Sequence, residues 1–253
     1  MEYFMHHEEL ARKSIPKEAQ VHHNKALLLV TEQARENYQD DTKPFSEYEK
    51  EISRDFEAVM HSINEKLALA KKLFQDHMEL HDHKGFSHKK LLPIWKEITE
   101  QAKKRLKNPK SIDFEKTMQD EFQIPWEFMD RAYDIGKQCL FEGKNEEAES
   151  MFLFLCLFQP RVYEYWLGLA TAQHVQKRWN EAILNYSLAL RQQPTNPIPF
   201  FQIACCLLEM NEKKAAHTAL QKSIEYATAQ KSTYKSLLQE AEQLAHAIQN
   251  HKE

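Results

Sequence analysis

Two patterns of apolar positions organise the chain. In the first, Phe45, Tyr48, Ile52, Phe56, Val59, Ile63, Leu67, Ala70 and Phe74 recur with the 3.6-residue period of one helical face. The stripe opens directly after Pro44 and predicts a helix over about residues 45–80, ~45 Å long at ~1.5 Å per residue. A helix of that length with a single apolar stripe needs a partner. The expectation is an intramolecular bundle with shorter helices at about residues 17–38 and 89–106, and another copy of the chain is the alternative. Pro16, Pro44, Pro93, Pro109 and Pro125 mark the breaks between these N-terminal helices.

The second pattern repeats. "KNEEAESMFLFLCLFQP" (144–160), "RWNEAILNYSLALRQQP" (178–194) and "EKKAAHTALQKSIEYAT" (212–228) stand 34 residues apart. Ala148, Ala182 and Ala216 hold equivalent places; Pro160 and Pro194 close the first two units, and Thr228 stands at that place in the third. Upstream in each unit come Ala132, Trp166 and Phe200, then Ile135, Leu169 and Ile203, then Gly136, Ala170 and Ala204. The second helices supply Phe152, Tyr186 and Leu220, then Leu155, Ala189 and Ser223. Two helices and two turns fill such a period, which is the tetratricopeptide signature. Small residues let paired helices approach, large ones fill the gap, and proline stops the second helix. A final stripe of Tyr234, Leu237, Leu238, Ala241, Leu244, Ala245 and Ile248 predicts the helix that caps the last apolar face. The fold class read from the sequence is all-α: three tetratricopeptide repeats plus a C-terminal capping helix over 122–253, after an N-terminal helical region over 1–121.

Composition agrees and narrows the partners. Only four glycines in 253 residues suit a helical protein with few tight turns. A formal charge of −4, with cations interleaved among acids, offers no basic face for a phosphate backbone, so nucleic acid is not an expected partner. Cys139, Cys156, Cys205 and Cys206 all fall inside the repeats without a CxxC pair, as reduced, buried thiols of a cytosol would. The start "MEYFMHHEELARK" does not read as a secretory signal, and the apolar run "MFLFLCLF" is too short to span a bilayer; stable membrane insertion is not expected.

In such a solenoid the first helix of each unit lines the inner surface. Its inward positions are Asp130, Tyr133, Lys137 and Leu140; then Glu164, Leu167, Thr171 and His174; then Ile198, Phe201, Cys205 and Leu208. The mostly apolar members of this set predict a slot for an extended peptide with spaced apolar anchors. The Lys and Asn clamp with which tetratricopeptide co-chaperones grip an acidic C-terminal tail is not matched, because Tyr133, Leu167 and Ile198 occupy the places where cations or amides are wanted.

More specific features narrow the family. "F-x-x-L-C-x-x-x-P" closes the first repeat, "YWLGL" opens the second, "YSLAL" follows, and the proline-bracketed "NPIPFF" leads to "ACCLLEM". Over about residues 122–227 these resemble the class II type III secretion chaperones of the SycD/LcrH type, and "NPIP" is similar to the chlamydial members. The resemblance implies a non-enzymatic bacterial cytoplasmic chaperone that takes an apolar segment of a hydrophobic translocator, or a related secreted client, into its concave groove. Carried over, the contacts fall on Tyr133, Lys137, Leu140, Leu167, Thr171, His174 and Phe201. Lys137 stands where the family often has an aromatic. The family usually has a short N-terminal arm implicated in dimerisation, whereas here about 120 residues precede the repeats, and a homodimer is allowed. A scaffold within the secretion apparatus is the alternative function.

Chemistry of other kinds finds little footing. Nine of the thirteen histidines precede Lys89, with His77 and His81 four apart and His83 and His88 following in "HDHKGFSH". No Cys or HExxH pattern supports a metal there, and histidines beside Gly85 at a helix end are ordinarily solvated, so no metal or cofactor is expected. No phosphate loop or GxSxG is present, and a metal-dependent enzyme is the weakest reading. Glu146, Glu147 and Glu149 read as a solvated helix start favourable to the helix dipole.

Overall fold

The computed structural model describes residues 45–80 and 116–250. Among the described residues the regular elements are all helices: α1 (Phe45–Leu80), α2 (Met118–Glu121), α3 (Trp126–Phe141), α4 (Asn145–Phe158), α5 (Tyr163–Val175), α6 (Trp179–Gln192), α7 (Pro197–Glu209), α8 (Lys213–Ala229) and α9 (Lys235–Asn250). From α3 onward each helix packs on the next in sequence, and α3 packs directly on α5 as well. This is the stacking of helical hairpins that the 34-residue period predicts.

The period is written into the backbone. Each first helix ends in a turn with a left-handed residue at the same place: Gly143 (φ 74°), Lys177 (φ 61°) and Asn211 (φ 63°). The next N–H then reaches back into the helix, Lys144 to the Cys139 carbonyl at 2.8 Å, Arg178 to Gln173 at 3.0 Å and Glu212 to Leu207 at 2.8 Å. This closure satisfies carbonyls that a helix end leaves bare. The second helices α4 and α6 stop two residues short of Pro160 and Pro194. With Thr228 at that place instead of proline, α8 runs on to Ala229. α7 starts on Asn196, whose side chain accepts from the Ile198 N–H at 3.0 Å, with Pro197 in the first turn where its missing N–H costs nothing.

Most of the repeat positions named from the sequence form the core, whereas Trp166, Phe200 and Ile203 are only partly buried. Ala148, Ala182 and Ala216 are fully buried, as are Phe152, Tyr186 and Leu220, and Leu155, Ala189 and Ser223. The buried Ser223 hydroxyl donates to the Pro197 carbonyl at 3.0 Å, so no polar group is stranded there. Helix α9 caps the last unit as expected: Ala241 and Ile248 join Ala204, Ala216 and Leu220 in one cluster, with Leu244 and Ala245 against it.

The long helix lies where its stripe predicts, but the partner of its second half is one that the pattern did not suggest. From Lys66 onward α1 belongs to the same compact unit as α2 to α9. Ala70 and Phe74 are buried there, and Phe74 stacks on Phe128 of α3 with ring centroids 4.3 Å apart. The helices expected at 17–38 and 89–106 lie outside the described residues. Between α1 and the repeats, the short α2 carries a Thr117–Asp120 capping box. It is pinned to the end of α4 by Gln159, which donates to Gln119 Oε1 at 3.0 Å.

Glu149 is not a solvated helix-start residue; its side chain is 3% exposed. Lys66 Nζ lies 2.7 Å from Oε2 and Arg178 Nη2 pairs with the same oxygen. Gln173 donates to Oε1 at 3.3 Å and Gln176 to Oε2 at 3.2 Å, while Asn185 donates to Gln173 at 2.6 Å. Burial by itself would raise the carboxyl pKa; hydrogen bonds from Arg178 and Lys66, and their charges, overcome it and hold the value at about 2. A pKa depressed on folding contributes stability above the unfolded value, near 4.3, and that stability is lost as pH falls through the folded value.

Two predictions follow from the turns and from this carboxylate. Lys177→Gly is expected to stabilise the chain by about 0.5–1 kcal/mol by relieving a left-handed lysine, whereas Gly143→Ala is expected to destabilise it by a similar amount, both read from urea midpoints. Wild-type stability is expected to fall by about 3 kcal/mol more than that of Glu149→Gln between pH 5 and pH 2, in paired urea titrations. Parallel pH profiles for the two proteins would show that the carboxylate is not held as described.

Candidate functional site

The twelve inner positions expected to line a groove sit on α3, α5 and α7. Nine are partly buried, and Asp130, Lys137 and Glu164 are exposed. That intermediate state suits a contact surface, since the stem of each side chain is fixed by its own repeat while part of it stays open to solvent.

On α3, the Tyr133 ring meets Phe152 of α4 edge to face, with centroids 6.0 Å apart at 74°, and lies 5.7 Å from Tyr165 of α5. These contacts hold the ring in a defined orientation, because the aromatic quadrupole favours edge-to-face geometry. Lys137 Nζ stands 4.5 Å over the Tyr133 ring and 2.9 Å from the Asp134 carboxylate. The hydrogen bond to Asp134 raises the Lys137 pKa, and burial raises that of the Tyr133 hydroxyl. One turn on, Leu140 is half-buried.

The α5 positions are more polar. Leu167 leans on the buried cluster of Ala170, Ala182, Tyr186 and Cys206. The Thr171 hydroxyl donates to the Leu167 carbonyl at 2.8 Å, and is thus tied to its own helix. His174 Nδ1 and the Tyr186 hydroxyl lie 3.3 Å apart, their rings edge to face at 6.2 Å. Burial lowers the His174 pKa, opposed by the charge of Glu209, so the imidazole is neutral at pH 7.

On α7, Ile198 and Cys205 are half-buried. Phe201 and Leu208 both lean on the cluster that includes Ala241 of α9, so part of each belongs to the capping contact. The sequence set therefore divides: on α3 Lys137 stands over Tyr133, the α5 residues centre on His174 and Tyr186, and two of the α7 residues share their surface with the core. The periodic pattern passed over Phe152 and Tyr165 as groove neighbours because both are buried, yet they position Tyr133; their aromatic character one and two helices along is the signal that pointed there.

The remaining candidate chemistry is thin. The four cysteines are free; Cys139, Cys156 and Cys206 are buried and Cys205 is half-buried. Burial pushes the Cys206 thiol up to about 12, which leaves little thiolate for nucleophilic chemistry. Among the described residues no group of three or more His, Cys, Asp or Glu is placed to hold a metal ion, and His81, His83 and His88 lie outside them. No described helix is long and apolar enough to cross a membrane.

Comparison with known families finds no family model that matches the chain. Among curated proteins, 100 residues, 40% of this chain, are 31% identical to the chaperone protein SicA of Salmonella typhimurium. That match spans 59% of the length of SicA. Among solved structures, the translocator chaperone SycD of Yersinia enterocolitica matches with TM-score 0.50 and 24% identity over 52% of this chain and 98% of SycD. PcrH of Pseudomonas aeruginosa, in complex with the chaperone-binding region of PopD, matches with TM-score 0.50 and 22% identity over 51% of this chain and 97% of PcrH. The repeat region thus has the fold of the translocator chaperone SycD and is similar in sequence to the chaperone protein SicA, in line with the resemblance carried by "YWLGL" and "NPIPFF".

Proposed function

We propose that this protein is a type III secretion chaperone that holds an apolar segment of a hydrophobic translocator, or of a related secreted client, along the inner face of α3, α5 and α7. The observation that carries the reading is the row of half-buried, mostly apolar side chains at Tyr133, Leu140, Leu167, Ile198, Phe201 and Leu208. The likeness of the same segment to SicA and to PcrH, which is seen with a piece of PopD, supports it. A client that inserts into membranes carries segments that aggregate when exposed, and a groove that covers one such segment keeps the client soluble and secretion-competent. The work is binding, without catalysis or cofactor, and it takes place in the bacterial cytoplasm before secretion. The binding domain is the repeat region from about residue 122, and the helical region up to about residue 121 is its extension.

Lys137, exposed over Tyr133, gives the first anchor position a cation beside an aromatic face. Such a pair accepts an apolar client side chain on the ring while tolerating a carboxylate next to it. The surrounding acids Asp130, Asp134, Glu164 and Glu209, all exposed, disfavour an acidic segment as a whole.

Co-expression of the full chain with each hydrophobic translocator candidate of its genome, followed by copurification and analytical ultracentrifugation, tests the reading. A soluble stoichiometric complex is expected, weakened tenfold or more by Tyr133→Ala at unchanged helicity, a loss of about 1.4 kcal/mol or more. Copurification with basal components of the apparatus, and with no translocator, would instead assign the scaffold role. The same sedimentation data give the oligomeric state.

A further inference from the structure

The first junction between repeats is built differently from the second. Phe152 of α4 is 1% exposed, and its ring sits between two glycines on neighbouring first helices. A Cβ at Gly168 of α5 would stand 2.3 Å from Phe152 Cε1 and 2.5 Å from Cδ1 and Cζ, closer than real Cβ atoms come. A Cβ at Gly136 of α3 would stand 3.1 Å from Cζ and 3.2 Å from Cε2. The ring therefore fills the space that two missing side chains leave at the crossing of α3 and α5. Neither glycine has a positive φ, so close approach to the ring is what each supplies. One repeat on, Tyr186 takes the place of Phe152, Ala170 that of Gly136 and Gln202 that of Gly168, so the double-glycine seat is confined to the first junction.

The same ring supports Tyr133, whose edge-to-face contact at 6.0 Å is with Phe152. We infer that Phe152, seated between Gly136 and Gly168, is a positioning residue for the groove: it fixes the Tyr133 ring and so sets the first client anchor. The consequence for binding rests on the chaperone reading, but the positioning of Tyr133 does not. A Cβ at Gly168 must displace the ring, because the interior around it is closely packed and the ring is not the far end of a flexible chain. On the groove side the half-buried Tyr133, in ring contact with Phe152, is a neighbour that can yield.

The test uses the full chain with fluorotyrosine incorporated, the Tyr133 fluorine resonance assigned by Tyr133→Phe, and the translocator that copurifies with wild type as the binding probe. Gly168→Ala is expected to shift or broaden the Tyr133 resonance and to weaken the client on the order of tenfold, with far-ultraviolet circular dichroism unchanged. Gln202→Ala, at the matching place where a Cβ is already accommodated, is expected to leave the Tyr133 resonance unmoved. Should Gly168→Ala fail to fold, Phe152→Leu answers the same question by removing the ring that Tyr133 abuts, and its Tyr133 resonance is expected to move. An unmoved Tyr133 resonance in folded Gly168→Ala or in Phe152→Leu overturns the inference, as does full client affinity in folded Gly168→Ala. If wild type binds no translocator, the chaperone reading fails while the fluorine resonance still decides the role of Phe152.

Discussion

One buried carboxylate sets terms that the rest of the repeat unit has to meet. Glu149 is removed from water on α4, and an isolated carboxylate in that place would cost several kcal/mol. Its partners come from three other places in the chain: Lys66 on the long helix, Gln173 and Gln176 at the end of α5, and Arg178 at the start of α6. The helices that carry those groups must therefore meet at one point. A hydrophobic contact tolerates sliding; a carboxylate with two cations and two amides does not. The network registers α1 against the first repeat and the first repeat against the second, a role in specificity that buried charge fills better than a role in net stability. The turn geometry cooperates, since the left-handed Lys177 places Arg178 to cap α6 and to reach Glu149 in the same step.

Within that register the repeats share a backbone and differ in content. The three left-handed turns and their 2.8–3.0 Å closures are nearly interchangeable, yet the residues used are Gly, Lys and Asn. The stacking residue of the second helix changes from Phe152 to Tyr186 to Leu220, all fully buried. Each change alters what reaches the inner face. Phe152 meets the Tyr133 ring edge to face, while Tyr186 presents a hydroxyl to His174. Leu220 joins the cluster on which Phe201 and Leu208 lean. The inner face is accordingly aromatic at one end, polar in the middle and partly committed to the capping helix at the other. On the proposed chaperone reading, a client segment laid along it would meet its most defined apolar anchor at the first repeat.

How far these features are legible in sequence depends on their range. The repeats, the capping helix and the long helix are legible because each rests on a local period, and Ala148, Ala182 and Ala216 are buried as that period requires. The inner positions are legible as a set for the same reason. The period is blind to contacts that break it. Glu149 holds the place of Ile183 and His217 in the other repeats, and its acidic neighbours Glu146 and Glu147 make it look like one more solvated charge. Its true partners lie 83 residues upstream, at Lys66, and 29 downstream, at Arg178. The second half of α1 is hidden for a related reason: an apolar stripe announces that a partner exists, but only Phe74 against Phe128 says which one. The extension of α8 past Thr228 was readable in principle, since the proline that stops α4 and α6 is missing there.

The proposed reversible masking would place opposite demands on such a face, and the division of labour between buried and half-buried residues suits both. Full burial of large apolar groups by a client would release about 25 cal/mol for each Å² covered, and a deep pocket would hold the client too tightly to give it up for secretion. A loose face, in contrast, would lose its affinity to the cost of ordering its own side chains. Here the ordering has been done in advance. Tyr133 is fixed by Phe152 and Tyr165, Thr171 by its own helix and His174 by Tyr186, yet each keeps part of its surface in water. The entropy of arranging the contact surface is thus lost on folding, where the core compensates for it, and little remains to be lost on binding. A face prepared in this way can hold a short apolar segment with modest buried area, and can release it when another site competes for the same segment.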